Sequence, residues 1–130
     1  LNETIILPLH PRTRKEIGSN GIRIKPHIHV VEPLGYLDMI RLEKSARLIL
    51  TDSGGIQKEA YWLGVPCITL RDDTEWVETV ELGWNKLVGA DTSHILEAVT
   101  TFRPPEKRPP LYGDGNAAGD IATILLSCSR

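Results

Sequence analysis

The sequence predicts an α/β fold, a parallel sheet with helices covering both of its faces. Five short apolar runs rich in β-branched residues recur along the chain, at residues 4–9, 27–31, 48–51, 67–70 and 86–88. Each is followed by a helical pattern or a loop, and the intervals suit βαβ units, whose crossover helices bury both sides of a sheet.

The first run holds Pro8, which cannot donate to a ladder and marks an edge strand or an early strand end. Helical spacing follows at 12–17, 35–44, 54–63, 75–82 and 92–101. Residues 103–110 contain four prolines, which remove donors and fix φ, so this stretch reads as a surface crossing. A closing helix over 116–127 places Ile121, Ile124 and Leu125 on one face.

Composition narrows the possibilities. A chain of 130 residues, 41% apolar and 25% charged, fits one domain, and that length buries roughly two thirds of the unfolded chain's surface. A formal charge of −2 argues against a nucleic-acid or anionic-membrane binder that relies on a basic field. Cys67 and Cys128 make no disulfide framework, and no Cys/His spacing resembles a zinc site, which points to the reducing cytoplasm. No apolar run approaches the roughly 20 residues of a spanning helix, and no basic-then-apolar leader is present. The chain opens at Leu1 directly before the apolar Ile5-Ile6-Leu7 and reads as a fragment cut at a domain joint.

The sharpest chemical signal is the stretch from Leu50 to Ala60, where a strand ends in Ser53-Gly54-Gly55 and runs straight into a helix. Ligands of open parallel sheets bind outside the carboxyl ends of the strands. Two glycines there remove side chains that would keep an anion from the first-turn N–H groups and the positive helix end. Glu59, four residues after Gly55, lies on the same helical face about 6 Å along the axis, a spacing suited to a carboxylate on ribose hydroxyls while the helix start holds a diphosphate. The alternative is that Asp52 and Ser53 cap the helix, the glycines make a tight turn and Glu59 faces water.

Three other strand ends carry polar clusters. Arg71 precedes Asp72, Asp73 and Thr74; the arginine suits a phosphate or an acidic side chain across a cleft, and the other three are ordinary capping residues. Trp76 there stacks on a ligand or packs against the next helix. His10, Arg12, Arg14 and Lys15 gather an imidazole and three cations where basic charge opposes the helix dipole. Leu34, Tyr36 and Met39 follow Pro33 and either wall a flat base or pack the helix into the core. His27 and His29 share a strand face without an acidic companion, a pattern more often structural than metallic.

Taken together, Thr51-Asp52-Ser53-Gly54-Gly55-Ile56-Gln57-Lys58-Glu59-Ala60, Leu63-Gly64-Val65-Pro66-Cys67-Ile68 and Arg71-Asp72-Asp73-Thr74-Glu75-Trp76 resemble the non-hydrolysing UDP-N-acetylglucosamine 2-epimerases. So do His10-Pro11-Arg12-Thr13, Glu32-Pro33-Leu34-Gly35-Tyr36-Leu37, Leu87-Val88-Gly89 and Tyr112-Gly113-Asp114-Gly115-Asn116-Ala117. The resemblance implies two Rossmann-like domains in a GT-B-type (glycosyltransferase-B-like) architecture, with residues 1–130 forming most of the C-terminal, UDP-binding domain. The N-terminal domain and the first part of the second would lie outside this sequence.

The resemblance also implies diphosphate contacts at Ser53, Gly54 and Gly55, a ribose contact at Glu59 and flanks for the uracil at Leu34 and Met39. His10 and Arg71 take supporting positions in the cleft. The implied reaction interconverts UDP-GlcNAc and UDP-ManNAc by proton removal at C2, elimination of UDP to a glycal and re-addition, in the service of cell-surface polysaccharide synthesis. The proton-transfer groups belong to the absent domain, so no catalytic residue is assigned here and the fragment alone is expected to be inactive. No cofactor, metal, nucleic acid or membrane is implied, and the full-length protein is expected to pair as a homodimer. Alternatives are the donor-binding half of a nucleotide-sugar glycosyltransferase, a non-catalytic sugar-nucleotide-binding module, or a hydrolysing relative.

Overall fold

Eleven elements alternate through the chain in the computed structural model, which describes residues 3–128. They are β1 (Ile5–Pro8), α1 (Pro11–Ser19), β2 (Ile28–Val31), α2 (Tyr36–Ser45), β3 (Ile49–Thr51), α3 (Gly54–Leu63), β4 (Cys67–Thr69), α4 (Val77–Glu81), β5 (Asn85–Leu87), α5 (Thr92–Thr101) and α6 (Ala117–Ser127). All strand pairs are parallel, as the spacing predicts.

The pairing differs from one continuous sheet. β1 pairs with β2, and β3, β4 and β5 form a second group in that order. Among the described residues β1 and β3 each keep one unpaired edge, and the starts of these two strands are joined instead by an ion pair, Glu3 to Arg47 at 2.6 Å. Strand β1 ends at Pro8, although Leu9 N–H still reaches the Val31 carbonyl at 3.0 Å.

Period-two alternation distributes the core to the two faces of the second sheet. Ile49 and Cys67 point to one side, where Ala60 and Val65 of α3 and its C-terminal turn cover them. Ile68 and Val88 point to the other, beneath Ala98 and Val99 of α5. Burying the valine and isoleucine side chains among them contributes about 1.5–3 kcal/mol each. The cover is incomplete: Ile6 and Leu50, both inside strands, are 46% and 43% exposed.

Local chemistry sets the helix limits. Pro11 opens α1 and His10 caps it, its Nδ1 accepting from Arg12 N–H at 3.3 Å. Asp91 caps α5 by accepting from His94 N–H at 2.9 Å. Helix α3 stops at Gly64, whose φ of +74° is left-handed backbone, and its last carbonyls accept from Arg108. Arg108 lies in the proline-rich crossing, which Tyr61 and Trp84 also hold by hydrogen bonds to the carbonyls of Pro109 and Lys107. Helix α4 starts at Val77, two residues later than the spacing suggests, because the Thr74 hydroxyl bonds Trp76 N–H and ties residues 74–76 into a turn. On α6 the face expected to be apolar is uncovered, with Ile121 57% and Ile124 60% exposed.

Candidate functional site

The turn between β3 and α3 is built as the sequence suggests. Ser53 is the residue before the helix, in extended conformation, and its N–H donates to Thr51 Oγ1 at 3.0 Å. Its hydroxyl makes no capping bond, so Ser53 does not close the helix start as an ordinary side-chain cap would. Gly55 is open: a Cβ there would meet only Ser53 Oγ, at 3.8 Å.

Gly54 is a correction to the expectation of a bare glycine pair. A Cβ on Gly54 would collide with the Glu75 carboxylate and would lie 3.5 Å from Trp76 Nε1. An acidic side chain is favourable beside a positive helix end, which is the physical reason for its seat there.

The loop after β4 supplies that carboxylate. Arg71 donates to Glu75 Oε2 and to Asp73 Oδ1, both at 3.1 Å, and these acceptors raise the guanidinium pKa further above its usual value, the Asp73 bond foremost. Arg71 and Gly54 are thus brought together through Glu75. The expected capping role of Asp72, Asp73 and Thr74 is corrected: the residue preceding α4 is Trp76, with no side-chain cap. Thr74 instead donates to Gln57 Oε1 of α3 at 2.6 Å.

A buried polar network fixes this loop against α3. Asn85 Nδ2 donates to Gln57 Oε1 at 3.1 Å and to Thr79 Oγ1 at 3.2 Å, while Thr69 donates to Asn85 Oδ1 at 2.7 Å. The Thr79 hydroxyl donates its own hydrogen bond to the Trp76 carbonyl at 2.7 Å. A buried network orders the groups it joins, here one strand end, its loop and the neighbouring helix, and within it Gln57 Nε2 is left without a partner.

Trp76 packs edge-on against Tyr112, 5.8 Å between ring centres, and Lys58 Nζ lies 4.7 Å from each of the two ring centres. Tyr112 is held by its hydroxyl bond to Glu78 at 3.0 Å, and burial pushes its phenol pKa well up. The spacing of Gly54 and Lys58, one turn apart, places this ammonium on the same side of α3 as the glycine.

Glu59 sits half-buried one turn into α3. Its neighbour across the α2–α3 contact is Glu43, 2% exposed, with neither carboxylate oxygen hydrogen-bonded. Burial first, and the Glu59 charge second, push the Glu43 carboxyl up to about 7.

The remaining residues singled out in the sequence lie apart. His10 is exposed at the end of β1; Leu34 precedes α2 and is 39% exposed; Met39 is half-buried within α2. Among the described residues no hydrogen bond or ion pair joins them to the α3 turn. Arg14 is engaged by Glu32 at 2.8 Å across the ends of β1 and β2. A hollow of about 290 Å³ lies one strand over from the turn, lined by Arg71, Asp72, Lys86, Gly89, His94 and Glu97 among others. Among the described residues no group of three or more His, Cys, Asp or Glu could hold a metal ion, and no helix is long and apolar enough to cross a membrane.

Sequence reasoning missed Glu43, Glu75 and Lys58. Glu43 was detectable, since it falls four residues after Met39 and three before Ala46 on the inward stripe of α2. Glu75 and Lys58 carry no such signal: their roles depend on which loop folds over which helix.

The family model described as UDP-N-acetylglucosamine 2-epimerase matches residues 1–126. A UDP-N-acetylglucosamine 2-epimerase homolog of Methanococcus maripaludis is 50% identical, over 95% of this chain and 36% of the relative. The UDP-2,3-diacetamido-2,3-dideoxy-D-glucuronate 2-epimerase of Pseudomonas aeruginosa is 47% identical, over 93% of this chain and 34% of its own length. A crystal structure of Methanocaldococcus jannaschii UDP-GlcNAc 2-epimerase in complex with UDP-GlcNAc and UDP superposes with a TM-score of 0.83 at 43% identity, over 95% of this chain and 36% of that one. The chain therefore spans about a third of the length of these relatives. With an α/β fold of parallel strands, a family match over nearly its whole length and close relatives of one kind, the chain belongs to the UDP-N-acetylglucosamine 2-epimerase family.

Proposed function

We propose that the full-length protein is a UDP-sugar 2-epimerase, interconverting UDP-GlcNAc and UDP-ManNAc, and that this segment supplies its UDP seat. The observation that carries the reading is the start of α3, where open Gly55 and the unbonded Ser53 hydroxyl stand one helical turn before Glu59. First-turn N–H groups and the helix dipole favour a diphosphate, and Glu59 is at the right distance for a ribose. Arg71, His10, Leu34 and Met39 complete the seat when the rest of the protein closes over it. Holding UDP on this segment stabilises the departing diphosphate during elimination at C2 and keeps it in place for re-addition. The proton-transfer groups come from the other domain, so the isolated segment binds UDP without turning over substrate.

In this reading the segment is most of the C-terminal domain of a homodimeric cytoplasmic enzyme of polysaccharide synthesis. That the chain spans about a third of the length of its relatives supports a domain that belongs to a longer protein. A second substrate comes from one observation: the Pseudomonas aeruginosa relative, named for a diacetamido-glucuronate sugar, is 47% identical, between the 50% of the Methanococcus maripaludis homolog and the 42% and 44% of two archaeal relatives, all three named for UDP-GlcNAc. Both substrates are nucleotide 2-acetamido sugars.

The test is product analysis on the full-length protein with UDP-GlcNAc and with the uronate analogue. Formation of the 2-epimeric UDP-sugar supports the reading, and the better substrate settles the sugar. Free ManNAc plus UDP would mark a hydrolysing enzyme, and transfer to an acceptor a glycosyltransferase. Gly55→Leu is expected to abolish UDP binding, because its side chain fills the approach to the helix start; unchanged affinity would refute the seat.

A further inference from the structure

We propose that Glu75 occupies the diphosphate seat of the free protein and is displaced by the ligand, which then takes the Trp76 indole N–H as an additional donor; this rests on the UDP seat proposed above. Two side chains from one loop converge on the same point. The Glu75 carboxylate fills the space where a Gly54 Cβ would stand, and Trp76 Nε1 lies 3.5 Å from that space.

The indole nitrogen is buried and has no hydrogen-bond partner. An unsatisfied buried donor is costly to keep. Nothing about this one is accidental to a loose side chain: the ring is wedged against Tyr112 and beneath Lys58, and its backbone is pinned by Thr74 and Thr79. The carboxylate beside it is mobile by comparison, half exposed and at the end of a flexible chain. One group is preorganised and lacks an acceptor, and the other is an anion that can leave.

Exchange follows from charge. A diphosphate offers more negative charge and more acceptor oxygens than this one carboxylate, which bonds Arg71 and none of the α3 N–H groups, so it takes up those N–H groups and competes for Arg71. When Glu75 swings out, Arg71 loses one of its two carboxylate partners and gains a vacancy toward the ligand. The buried indole N–H then meets a charged acceptor. Glu75 thus sets the affinity of the seat by competition, and Trp76 adds to it by direct contact.

The experiment measures UDP and uridine binding by calorimetry on the full-length protein, its Glu75→Gln and Trp76→Phe variants, with the indole N–H signals of 15N-tryptophan-labelled protein followed alongside. Glu75→Gln is expected to tighten UDP binding by roughly two- to fivefold, the size of a helix-end charge effect. Trp76→Phe, which keeps the ring packing, is expected to weaken UDP roughly tenfold or more, the worth of a hydrogen bond to a charged group. Uridine affinity is expected to stay the same in both, and in the wild type one indole N–H signal, absent from Trp76→Phe, is expected to move on adding UDP but not uridine. UDP affinity unchanged or weakened by Glu75→Gln, or a Trp76 signal indifferent to UDP, overturns the proposal. Should the wild type bind UDP no better than uridine, the diphosphate seat itself fails, which is a separate outcome. The tryptophan signals are read in the wild type, so misfolding of a variant leaves that arm decisive.

Discussion

Replacing Glu43 by Gln removes a charge from the best-sealed acidic side chain of the described structure, and the effect on stability is calculable. Glu43 lies between α2 and α3, 2% exposed, without a hydrogen bond to either oxygen, and its carboxyl is raised from 4.5 to about 7. An acid with a raised folded-state pKa binds its proton more tightly when folded. Its contribution is fully present below pH 4.5, falls as the pH climbs and is lost once the pH passes about 7. At about 1.4 kcal/mol per pKa unit, the wild type gives up about 2–3 kcal/mol across that window. Gln has no proton to lose, so the stability difference between Glu43→Gln and wild type should shift in favour of the variant by that amount between pH 4.5 and 7.5. Urea unfolding followed by tryptophan fluorescence at half-unit pH steps gives the difference directly, and the titration of groups not coupled to Glu43 cancels in it. A difference independent of pH would refute both the burial of this carboxylate and its coupling to Glu59. Glu59→Gln provides a control, since removing the second cause should move the midpoint of the Glu43 effect to lower pH.

Two further outcomes follow from single residues. Gly64→Ala should destabilise the protein by about 1–2 kcal/mol in urea melts, because a φ of +74° costs any side-chain-bearing residue that much, and Gly64→Asn should recover part of the loss. Thiol titration of native protein should find Cys128 reactive and Cys67 inert: Cys67 is 1% exposed, and burial pushes its thiol up to about 12. Both should react in urea, and fast native labelling of Cys67 would contradict the packing of β4 beneath α3.

How much of this was legible beforehand depends on the range of the interaction that decides each feature. Strands and helices were readable because short-range rules set them: Pro8 ends β1, Pro11 opens α1, Gly64 stops α3, and the alternation of Ile49 with Leu50 and Cys67 with Ile68 assigns sheet faces. The division of strands into two groups was not readable, because whether β1 and β3 pair depends on what lies between them in space, and no residue of either strand encodes its neighbour. The α3 turn was found for the same reason as the helices, since glycines at a helix start are a local signal. Its electrostatic state was not, because the anion at Gly54 arrives from a loop 21 positions away, as the numbering of Gly54 and Glu75 makes plain.

That contrast bears on how the proposed seat would work. A sequence pattern that bares a helix start specifies where an anion can sit, but a folded protein rarely leaves such a start empty, because unsatisfied N–H groups and an uncompensated dipole end are themselves costly. Glu75 sets a negative charge beside the dipole end, tethered through Arg71 and without a hydrogen bond to the first-turn N–H groups, and under the proposal above the cost of moving it is deducted from a diphosphate that binds there. The buried network of Gln57, Thr69, Asn85 and Thr79 is what makes this arrangement stiff, since it holds the Glu75–Trp76 turn at a fixed height over α3. Loosening the network would therefore change affinity at the seat without touching any group that meets the ligand, so affinity here is a property of the loop's packing as much as of the glycines that first drew notice.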